Sequence, residues 1–316
     1  MLDFLVNVVL LVVGFAMLVK GADWFVDGSA GIATKMGIPQ LVVGLTLVAM
    51  GTSAPEAAVS ISASLQENSA DIAIGNVLGS NILNIFIILG LTAVITSVAI
   101  QKSTLAYEMP FMIMITIILV VLGMGDGYVN RLEGVILWLL FIGYMAYLLI
   151  LAKKGKAKEK EEKEKRSYWM LLLLMTVGGA IVVWGSDITV DSATKIATMI
   201  GIDARFIGLT IVALGTSLPE LVTSVTAAKK GNADIAIGNI VGSNVFNILF
   251  VIGTSSLITP VKYQSAFLID GIIAVACGVL LWVSVVRTKK LTRPWGIAML
   301  VGYAAYFIYL LTSQGQ

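Results

Sequence analysis

Two short segments, one in each half of the chain, combine a proline and a carboxylate within apolar surroundings. They read GTSAPE at 51–56 and GTSLPE at 215–220. Proline lacks an amide hydrogen and crowds the carbonyl one turn before it, so main-chain oxygens near Gly51 and Thr52 lose their helical partners. Glu56 follows one turn after Thr52 and lies on the same helix face. These residue types predict a site in which carbonyl, hydroxyl and carboxylate oxygens meet.

Two further segments repeat this kind of chemistry with neutral oxygens. They read GNVLGSNILN at 75–84 and GNIVGSNVFN at 238–247, again with glycines inside an apolar run. Their polar side chains include Ser80, Asn81 and Asn84 in the first, and Ser243, Asn244 and Asn247 in the second. Two carboxylates together with hydroxyl, amide and carbonyl oxygens suit hard cations such as Ca²⁺ and Na⁺.

Charge favours an ion-binding role for Glu56 and Glu220. An ionised carboxylate in the middle of a membrane costs at least about 2.5 kcal/mol, so two that lie close together should either take up protons or hold a cation. One Ca²⁺ would neutralise both. Helix packing by small polar residues is an equally good account of Ser60, Ser62 and Ser224, but packing in hydrocarbon requires no glutamate.

Six other acids lie where helices are predicted to begin or end. They form three recurring pairs: Asp23 with Asp187, Asp27 with Asp191, and Asp71 with Asp234. The first two pairs come at the polar ends of apolar runs, and the third opens later runs, where a helix N-terminus favours an acid. We interpret all six as helix-end groups. The alternative is that they attract cations to an entrance.

The chain as a whole is too apolar for a water-soluble domain. Its 316 residues are 58% hydrophobic and 13% charged, with a mean hydropathy of +0.95. Runs of about 20 apolar residues, the length that crosses a hydrocarbon core, recur along nearly the whole sequence. We predict ten spans, at 4–26, 40–64, 71–96, 105–123, 132–152, 168–190, 204–228, 234–258, 265–286 and 295–312. The predicted fold is therefore an all-α membrane protein.

Histidine is absent, and cysteine occurs once, at Cys277 within an apolar run. Without histidine the chain cannot build an imidazole proton relay, a histidine zinc site or a serine-histidine hydrolase. A lone cysteine forms no disulfide within one chain, and we interpret it as a packing residue. Any buried cation must therefore be held by oxygen, and we expect neither an enzyme nor a resident cofactor.

The two halves of the chain repeat each other. VGLTLVAMGTSAPE pairs with IGLTIVALGTSLPE, and ADIAIGNVLGSNILNI pairs with ADIAIGNIVGSNVFNI. Each half holds five predicted spans, and this odd number makes the second copy enter the membrane from the opposite side. We therefore divide the chain into a first repeat at 1–152, a charged linker at 153–166 and an inverted second repeat at 167–316. Inverted repeats are typical of secondary transporters, whose sites lie near the midplane between interrupted helices.

The linker sets the predicted orientation in the membrane. It reads KKGKAKEKEEKEKR, with eight basic and four acidic residues, and basic loops stay on the cytoplasmic side. Counting spans outward from the linker puts both termini outside the cell. We expect a multi-pass protein of the plasma membrane that contacts the lipid bilayer, and we predict no protein or nucleic-acid partner.

With each motif present twice, the sequence resembles the calcium/cation antiporter superfamily, and more closely the prokaryotic sodium/calcium exchangers. The resemblance covers all ten predicted spans. It implies ten helices in two inverted five-helix halves, with spans two, three, seven and eight as a core. It also implies that spans one and six slide against this core as a pair during alternating access.

Residue by residue, the resemblance implies two overlapping sets of ion ligands. For Ca²⁺ these are Glu56 and Glu220 with main-chain oxygens of Thr52 and Thr216. For Na⁺ they are the carbonyls of Ala49 and Ala213, the hydroxyls of Ser53, Ser217, Ser80 and Ser243, and the same two glutamates. Asn84 and Asn247 form a central polar site. Because the two ions share ligands, they exclude each other, and this competition couples their transport.

The implied function is export of Ca²⁺ driven by an inward Na⁺ gradient, with both ions as substrates. Some relatives carry an aspartate at the place of Asn247, associated with potassium co-transport, whereas this chain has asparagine there and at Asn84. We therefore predict that transport is independent of K⁺. The alternative is a proton/Ca²⁺ antiporter, but proton-coupled relatives place a glutamate within the GN block, and 77–80 and 240–243 contain none.

Overall fold

The computed structural model describes residues 2–66, 72–155, 164–201 and 213–313. Within these ranges the chain is helical apart from turns and two short sheets. Three predicted features lie partly or wholly outside the described residues: Asp71, the beginning of the seventh span before Ala213, and the middle of the linker at 156–163.

The first half begins with a long helix, continues through a broken one, and ends with three further long helices. Its elements are α1 (Leu2–Met36), α2 (Gln40–Thr52), α3 (Ala54–Ser64), α4 (Ile72–Ile95), β1 (Val98–Ala99), α5 (Thr104–Asp126), β2 (Tyr128–Val129) and α6 (Arg131–Gly155).

The second half repeats this order as far as it is described. Its elements are α7 (Tyr168–Met199), α8 (Ala213–Gly215), α9 (Leu218–Lys229), α10 (Ala233–Ile258), β3 (Val261–Lys262), α11 (Phe267–Val286), β4 (Lys290–Leu291) and α12 (Arg293–Ser313).

Eight of the described helices are long and apolar enough to cross a membrane, and the bent pair of α2 and α3 makes a ninth. The described residues thus account for up to nine of the ten predicted spans. The tenth, predicted at 204–228, is described only from Ala213 onward. The all-α prediction holds apart from the two-residue strands, which are too short to leave a pattern in the sequence.

Both proline motifs interrupt a helix at the residue before the Ala-Pro or Leu-Pro pair. Ser53 has φ −83° and ψ 8°, and Ser217 has φ −92° and ψ 4°, so neither continues the α-helix. The axes of α2 and α3 differ by 52° across this break. Pro55 and Pro219 then lie in the first turn of the following helix, where the missing amide costs nothing. The interruption predicted from proline is therefore present in both halves.

The helices that carry the GN motifs form the centre of the protein. In their most apolar stretches 72% of α4 and 89% of α10 are buried, against 17% of α12. The backbones of α2 and α10 lie in close contact at two glycines of α10. A Cβ at Gly238 would lie 3.0 Å from the Cα of Gly44, and a Cβ at Gly242 would lie 2.7 Å from the Leu45 carbonyl oxygen, so neither position has room for a side chain. Small residues at such crossings are typical of membrane helices.

α1 and α7 lie against each other along most of their length and run antiparallel. Gly14 of α1 contacts α7 near Gly185, whereas Gly28 contacts it near Leu171, so the order of contacts reverses. Gly178 fits against Gly21 in between, where an added Cβ would lie 2.8 Å from the Gly21 carbonyl oxygen. The two helices that the sequence places in corresponding positions therefore point in opposite directions.

α1 and α7 extend beyond the spans predicted at 4–26 and 168–190. The interpretation of four acids as helix-end groups is therefore wrong, since these acids lie inside the helices: Asp23, Asp27, Asp187 and Asp191. Hydropathy reports where the hydrocarbon ends, whereas a helix continues as long as its own backbone hydrogen bonds form. Asp234 does lie in the first turn of α10, as predicted.

The two short sheets join loops of opposite halves. β1, after α4, pairs antiparallel with β4, between α11 and α12, with Val98 opposite Leu291. β2, between α5 and α6, pairs in the same way with β3, after α10, with Val129 opposite Val261. Each sheet therefore links the loop after the third span of one half to the loop between the fourth and fifth spans of the other.

Candidate cation-binding site

The two motif glutamates begin the helices that follow the breaks. Glu56 lies in the first turn of α3 and Glu220 in the first turn of α9. Each is only 1% exposed. The unpaired amide groups and dipole of a helix N-terminus stabilise negative charge at this position. The proline that breaks each helix therefore also supplies the helix start that holds its glutamate.

Hydrogen bonds across the two halves bring the broken helices together. Ser53 Oγ donates to Glu220 Oε1 at 2.8 Å, and Ser217 Oγ donates to Glu56 Oε1 at 3.4 Å. Each motif serine thus contacts the glutamate of the other repeat. The second oxygen of each carboxylate, Oε2, is buried and has no hydrogen-bond partner among the described residues.

These free carboxylate oxygens have the character of ion ligands. Nearly all buried polar atoms in proteins have a partner, so two unpaired carboxylate oxygens in one place call for an explanation. The described residues contain no group of three or more acidic, histidine or cysteine side chains that could hold a metal ion. A cation here would therefore depend on the two glutamates and on neutral oxygens.

Two asparagines from the GN motifs support the glutamates. Asn239 accepts a hydrogen bond from Thr52 Oγ1 at 3.0 Å and donates to Ser224 Oγ at 2.9 Å. Asn76 donates to Ser60 Oγ at 2.9 Å and to the main-chain oxygen of Glu56 at 3.2 Å.

Neither asparagine is among the predicted ligands, although each directly follows the glycine that opens its GN block. These contacts also involve two of the three serines for which helix packing was an equally good account. Ser60 and Ser224 are fully buried acceptors for the asparagines, whereas Ser62 is exposed.

Ala49, whose carbonyl is a predicted sodium ligand, lies one turn before Ser53. Its carbonyl accepts the amide of Ser53 at 3.0 Å and the hydroxyl of Ser243 at 3.5 Å. The oxygen is therefore not freed from helical hydrogen bonding, and both of its lone pairs already accept hydrogen bonds. The contact with Ser243 brings α10 to the break in the first half.

The remaining predicted ligands differ in how far they are buried and in whether the structure describes their side chains. Thr52 is buried, whereas Thr216 is half-buried. Ala213 is the first residue of α8, and its side chain lies outside what the structure describes. Ser80 of α4 is 3% exposed, and its hydroxyl has no partner in the described part of the chain.

Asn84 and Asn247 lie at the centre, where α4 and α10 meet. Asn84 Nδ2 donates to Asn244 Oδ1 at 2.9 Å, and Asn247 Nδ2 donates to Asn81 Oδ1 at 3.2 Å. Both helices change to a wider π-helical turn at Asn84 and Asn247. Such turns recur at functional sites because they release backbone groups from regular hydrogen bonding. The structure thus places both predicted asparagines in one hydrogen-bonded cluster with Asn81 and Asn244.

One lysine links α1 to the end of α9. Lys230 Nζ lies 2.8 Å from Asp23 Oδ1 and 2.8 Å from Asp27 Oδ1. Burial alone would lower the pKa of Lys230, but its hydrogen bonds to the two aspartates outweigh burial and raise the pKa. In the first half, Gln66 holds the corresponding place, and Asp187 and Asp191 of α7 are exposed.

Comparison with known proteins identifies relatives along nearly the whole chain. The family model described as "Sodium/calcium exchanger protein" matches residues 6–150 and 170–312. The chain is 31% identical to the sodium/calcium exchanger MaX1 of Methanosarcina acetivorans, over 96% of this chain and 98% of MaX1. It is 32% identical to the inner membrane protein YrbG of Escherichia coli, over 95% of each chain.

The fold also matches a solved structure. A structure of the sodium-calcium exchanger NCX_Mj, soaked with zero Na⁺ and Ca²⁺, superposes with a TM-score of 0.84 at 33% sequence identity. The match covers 97% of this chain and 99% of NCX_Mj.

Proposed function

Because the chain belongs to the sodium/calcium exchanger family, whose members are transporters and not enzymes, we propose that it exports Ca²⁺ from the cell in exchange for Na⁺. The observation that carries this proposal is the pair of buried glutamates, one from each broken helix, each with one unpaired oxygen. Two such oxygens match the charge of one Ca²⁺, and hydrocarbon would not tolerate both without a cation or protons.

The proposed ligands are the residues that surround these two oxygens. Ca²⁺ binds Glu56, Glu220 and the main-chain oxygens of Thr52 and Thr216. Na⁺ ions bind the same carboxylates together with the carbonyls of Ala49 and Ala213 and the hydroxyls of Ser53, Ser217, Ser80 and Ser243. Asn84 and Asn247 contribute neutral oxygens at the centre, with no charge that would require K⁺ or a proton.

Shared ligands explain why transport of the two ions is coupled. Ca²⁺ and Na⁺ cannot occupy the same carboxylates together, and an empty site would carry two uncompensated buried charges across the membrane. The protein therefore changes conformation only when loaded with one ion or the other. No further ion or cofactor is needed for the cycle.

The proposed architecture is ten spans in two inverted repeats, at 1–152 and 167–316, joined by the cytoplasmic linker at 153–166. Two observations support it: α1 and α7 pack antiparallel, and each short sheet pairs a strand of one half with a strand of the other. In this arrangement α1 and α7 slide as a pair over the central helices, opening the site to one side at a time. Both termini then lie outside the plasma membrane.

The deciding experiment compares driving ions in vesicles that contain the purified protein. We expect an outward Na⁺ gradient to drive uptake of ⁴⁵Ca²⁺, and K⁺ on either side to leave the rate unchanged. A pH gradient without Na⁺ should not drive uptake. Uptake driven by the pH gradient alone would identify H⁺ as the coupling ion and overturn the assignment of Na⁺.

A further inference from the structure

Four asparagines form a closed set of hydrogen bonds between α4 and α10. Asn81 Nδ2 donates to the main-chain oxygen of Asn244 at 3.3 Å, and Asn244 Nδ2 donates to the main-chain oxygen of Asn81 at 3.2 Å. The side-chain oxygens of the same two residues accept from Asn247 and Asn84. All four side chains are at most 2% exposed.

The main-chain contacts leave only one orientation for each amide group. A carbonyl oxygen accepts hydrogen bonds and cannot donate them, so Asn81 must turn its NH₂ group toward Asn244. The Oδ1 of Asn81 then faces Asn247, which must donate. Asn247 therefore turns its own Oδ1 away from Asn81. The same steps, beginning with Asn244, turn the Oδ1 of Asn84 outward from this set.

The two oxygens that remain are of the type that a cation needs. Asn84 Oδ1 and Asn247 Oδ1 are buried and have no hydrogen-bond partner among the described residues. Ser80 lies one turn before Asn84, and Ser243, one turn before Asn247, contacts the Ala49 carbonyl at the break of the first half. These oxygens thus lie on the helix faces that carry the other proposed ligands.

We propose that Asn81 and Asn244 are positioning residues that set the cation affinity without contacting the ion. By accepting from Asn247 and Asn84, they keep amide oxygens facing the ion and NH₂ groups facing away. A reversed amide would replace a cation ligand with two hydrogens of positive partial charge. This proposal rests on the proposed function of the site, and it assigns to Asn81 and Asn244 a role that the sequence left open.

The test is a double-mutant cycle that separates orientation from packing. Asn81→Ala releases Asn247, and we expect the KM for Ca²⁺ to rise about fivefold, the effect of one lost hydrogen bond. Asn247→Asp replaces the amide by a group with two acceptor oxygens, which needs no orienting partner. When Asn81 is present, however, the carboxylate oxygen that replaces the NH₂ group of Asn247 would face Asn81 Oδ1, and the two oxygens would repel each other.

We therefore expect Asn247→Asp to lower the KM more in the Asn81→Ala background than in the parent. A cycle at the symmetric pair, Asn244→Ala with Asn84→Asp, should show coupling of the same sign. Asn130→Ala, at the N-terminus of α6 and outside the set, serves as the control and should leave the KM unchanged. Additive effects in both cycles would mean that the asparagines only pack, and would overturn the proposal.

Binding of ⁴⁵Ca²⁺ to the detergent-solubilised protein is measured on the same variants. Coupling in the binding constants without Na⁺-driven flux would contradict the proposed exchange but retain the positioning role. Normal flux with additive binding constants would contradict the positioning role alone. Should the single alanine variants fail to fold, Asn81→Ser and Asn244→Ser shorten the side chain but keep a polar group, and the same coupling is expected.

Discussion

Glu56 and Glu220 differ from Glu108, the other fully buried acid among the described residues, in the hydroxyl group that each one bonds. Glu108 also has one unpaired oxygen, but its other oxygen accepts from Tyr147 of its own half. Glu56 and Glu220 each give one oxygen to a serine of the opposite repeat and keep the other unpaired. Because the two come from segments that belong to different halves, no local structure could pair them. The site therefore exists only when both breaks are in place.

At this scale we predict that Glu56→Gln or Glu220→Gln reduces Na⁺-dependent Ca²⁺ uptake by about 100-fold or more, as expected when one charge of a buried ionic set is removed. The readout is ⁴⁵Ca²⁺ flux into vesicles. A matched control is Glu108→Gln, because Glu108 is equally buried but bonds Tyr147 of α6 at 2.5 Å, away from the site.

The control variant should keep most of the flux, and thermal unfolding should confirm that all three variants are folded. Flux near that of the parent in either site variant would remove the central role assigned to these two carboxylates.

The elements around the site divide into a buried centre and a pair of long helices packed through glycine. Glycines at several positions allow the backbones of α1 and α7 to approach so closely that a side chain would not fit there. Without a hydrophobic driving force in lipid, such close packing is what holds membrane helices together. We expect the pair to move as one body for this reason.

This packing predicts different effects for two neighbouring glycines. A Cβ at Gly178 would lie 2.5 Å from the amide nitrogen of Phe25, whereas a Cβ at Gly179 meets only the Phe25 ring at 3.5 Å, an ordinary contact. Gly178→Ala should cost about 1–3 kcal/mol of stability, as overpacking does, and should slow exchange.

Thermal unfolding in detergent and Ca²⁺ flux measure the two effects, and Gly179→Ala is the control. Equal unfolding temperatures and equal flux in the two variants would show that α1 and α7 pack less closely than the structure indicates.

A second prediction concerns the contact of α1 with the end of α9. Lys230 ties Asp23 and Asp27 to α9, while the corresponding place in the first half is Gln66. Lys230→Ala should therefore release one end of the sliding pair and shift the protein toward the state open on that side. Partly exposed ion pairs contribute at most about 1 kcal/mol each, so loss of the two pairs should shift the equilibrium by about thirtyfold or less.

The shift is measured as the ratio of the Ca²⁺ half-saturation constants on the two sides of the membrane. Lys229→Ala is the control, since no ion pair of Lys229 occurs in the described structure. Because the folded pKa of Lys230 is raised, the link is complete at neutral pH and is lost only as the pH rises through that value. An unchanged ratio would show that the link does not bias the conformations.

The whole molecule is arranged as two similar halves whose elements interlock. In each half, the strand that follows the third span pairs with the strand between the fourth and fifth spans of the other half. The site likewise takes one carboxylate from each half. The proposed alternating access requires such a similarity between the two halves.

The proposed orientation can be tested by labelling with a membrane-impermeant maleimide. With Cys277 replaced by serine, a cysteine at Gln316 should react from outside intact cells, and one at Lys160 in the linker only after the membrane is opened. Both results follow from five spans in each half. Reaction of both cysteines from the same side would contradict the inverted arrangement.

Much of the fold follows from local properties of the sequence. Hydropathy predicts the spans and the proline motifs predict the two interruptions, because both depend on residues within a single turn or a single run. The repeated motifs also predict that Glu56 and Glu220 belong to one site. The predicted spans end at 26 and 190, whereas the helices continue to Met36 and Met199, because the hydrocarbon boundary and the end of a helix are different physical limits.

Only the tertiary structure decided how the polar residues satisfy each other. The contacts in question join positions that are distant in sequence or lie on separate helices. They are the serine contacts to the opposite glutamates, the hydrogen bonds of Asn76 and Asn239, and the ion pairs of Lys230 with α1. Sequence spacing within one helix cannot specify such partners, since they depend on how the helices cross. Composition determined that a cation must be held by oxygen, and packing determined which oxygens are left free to hold it.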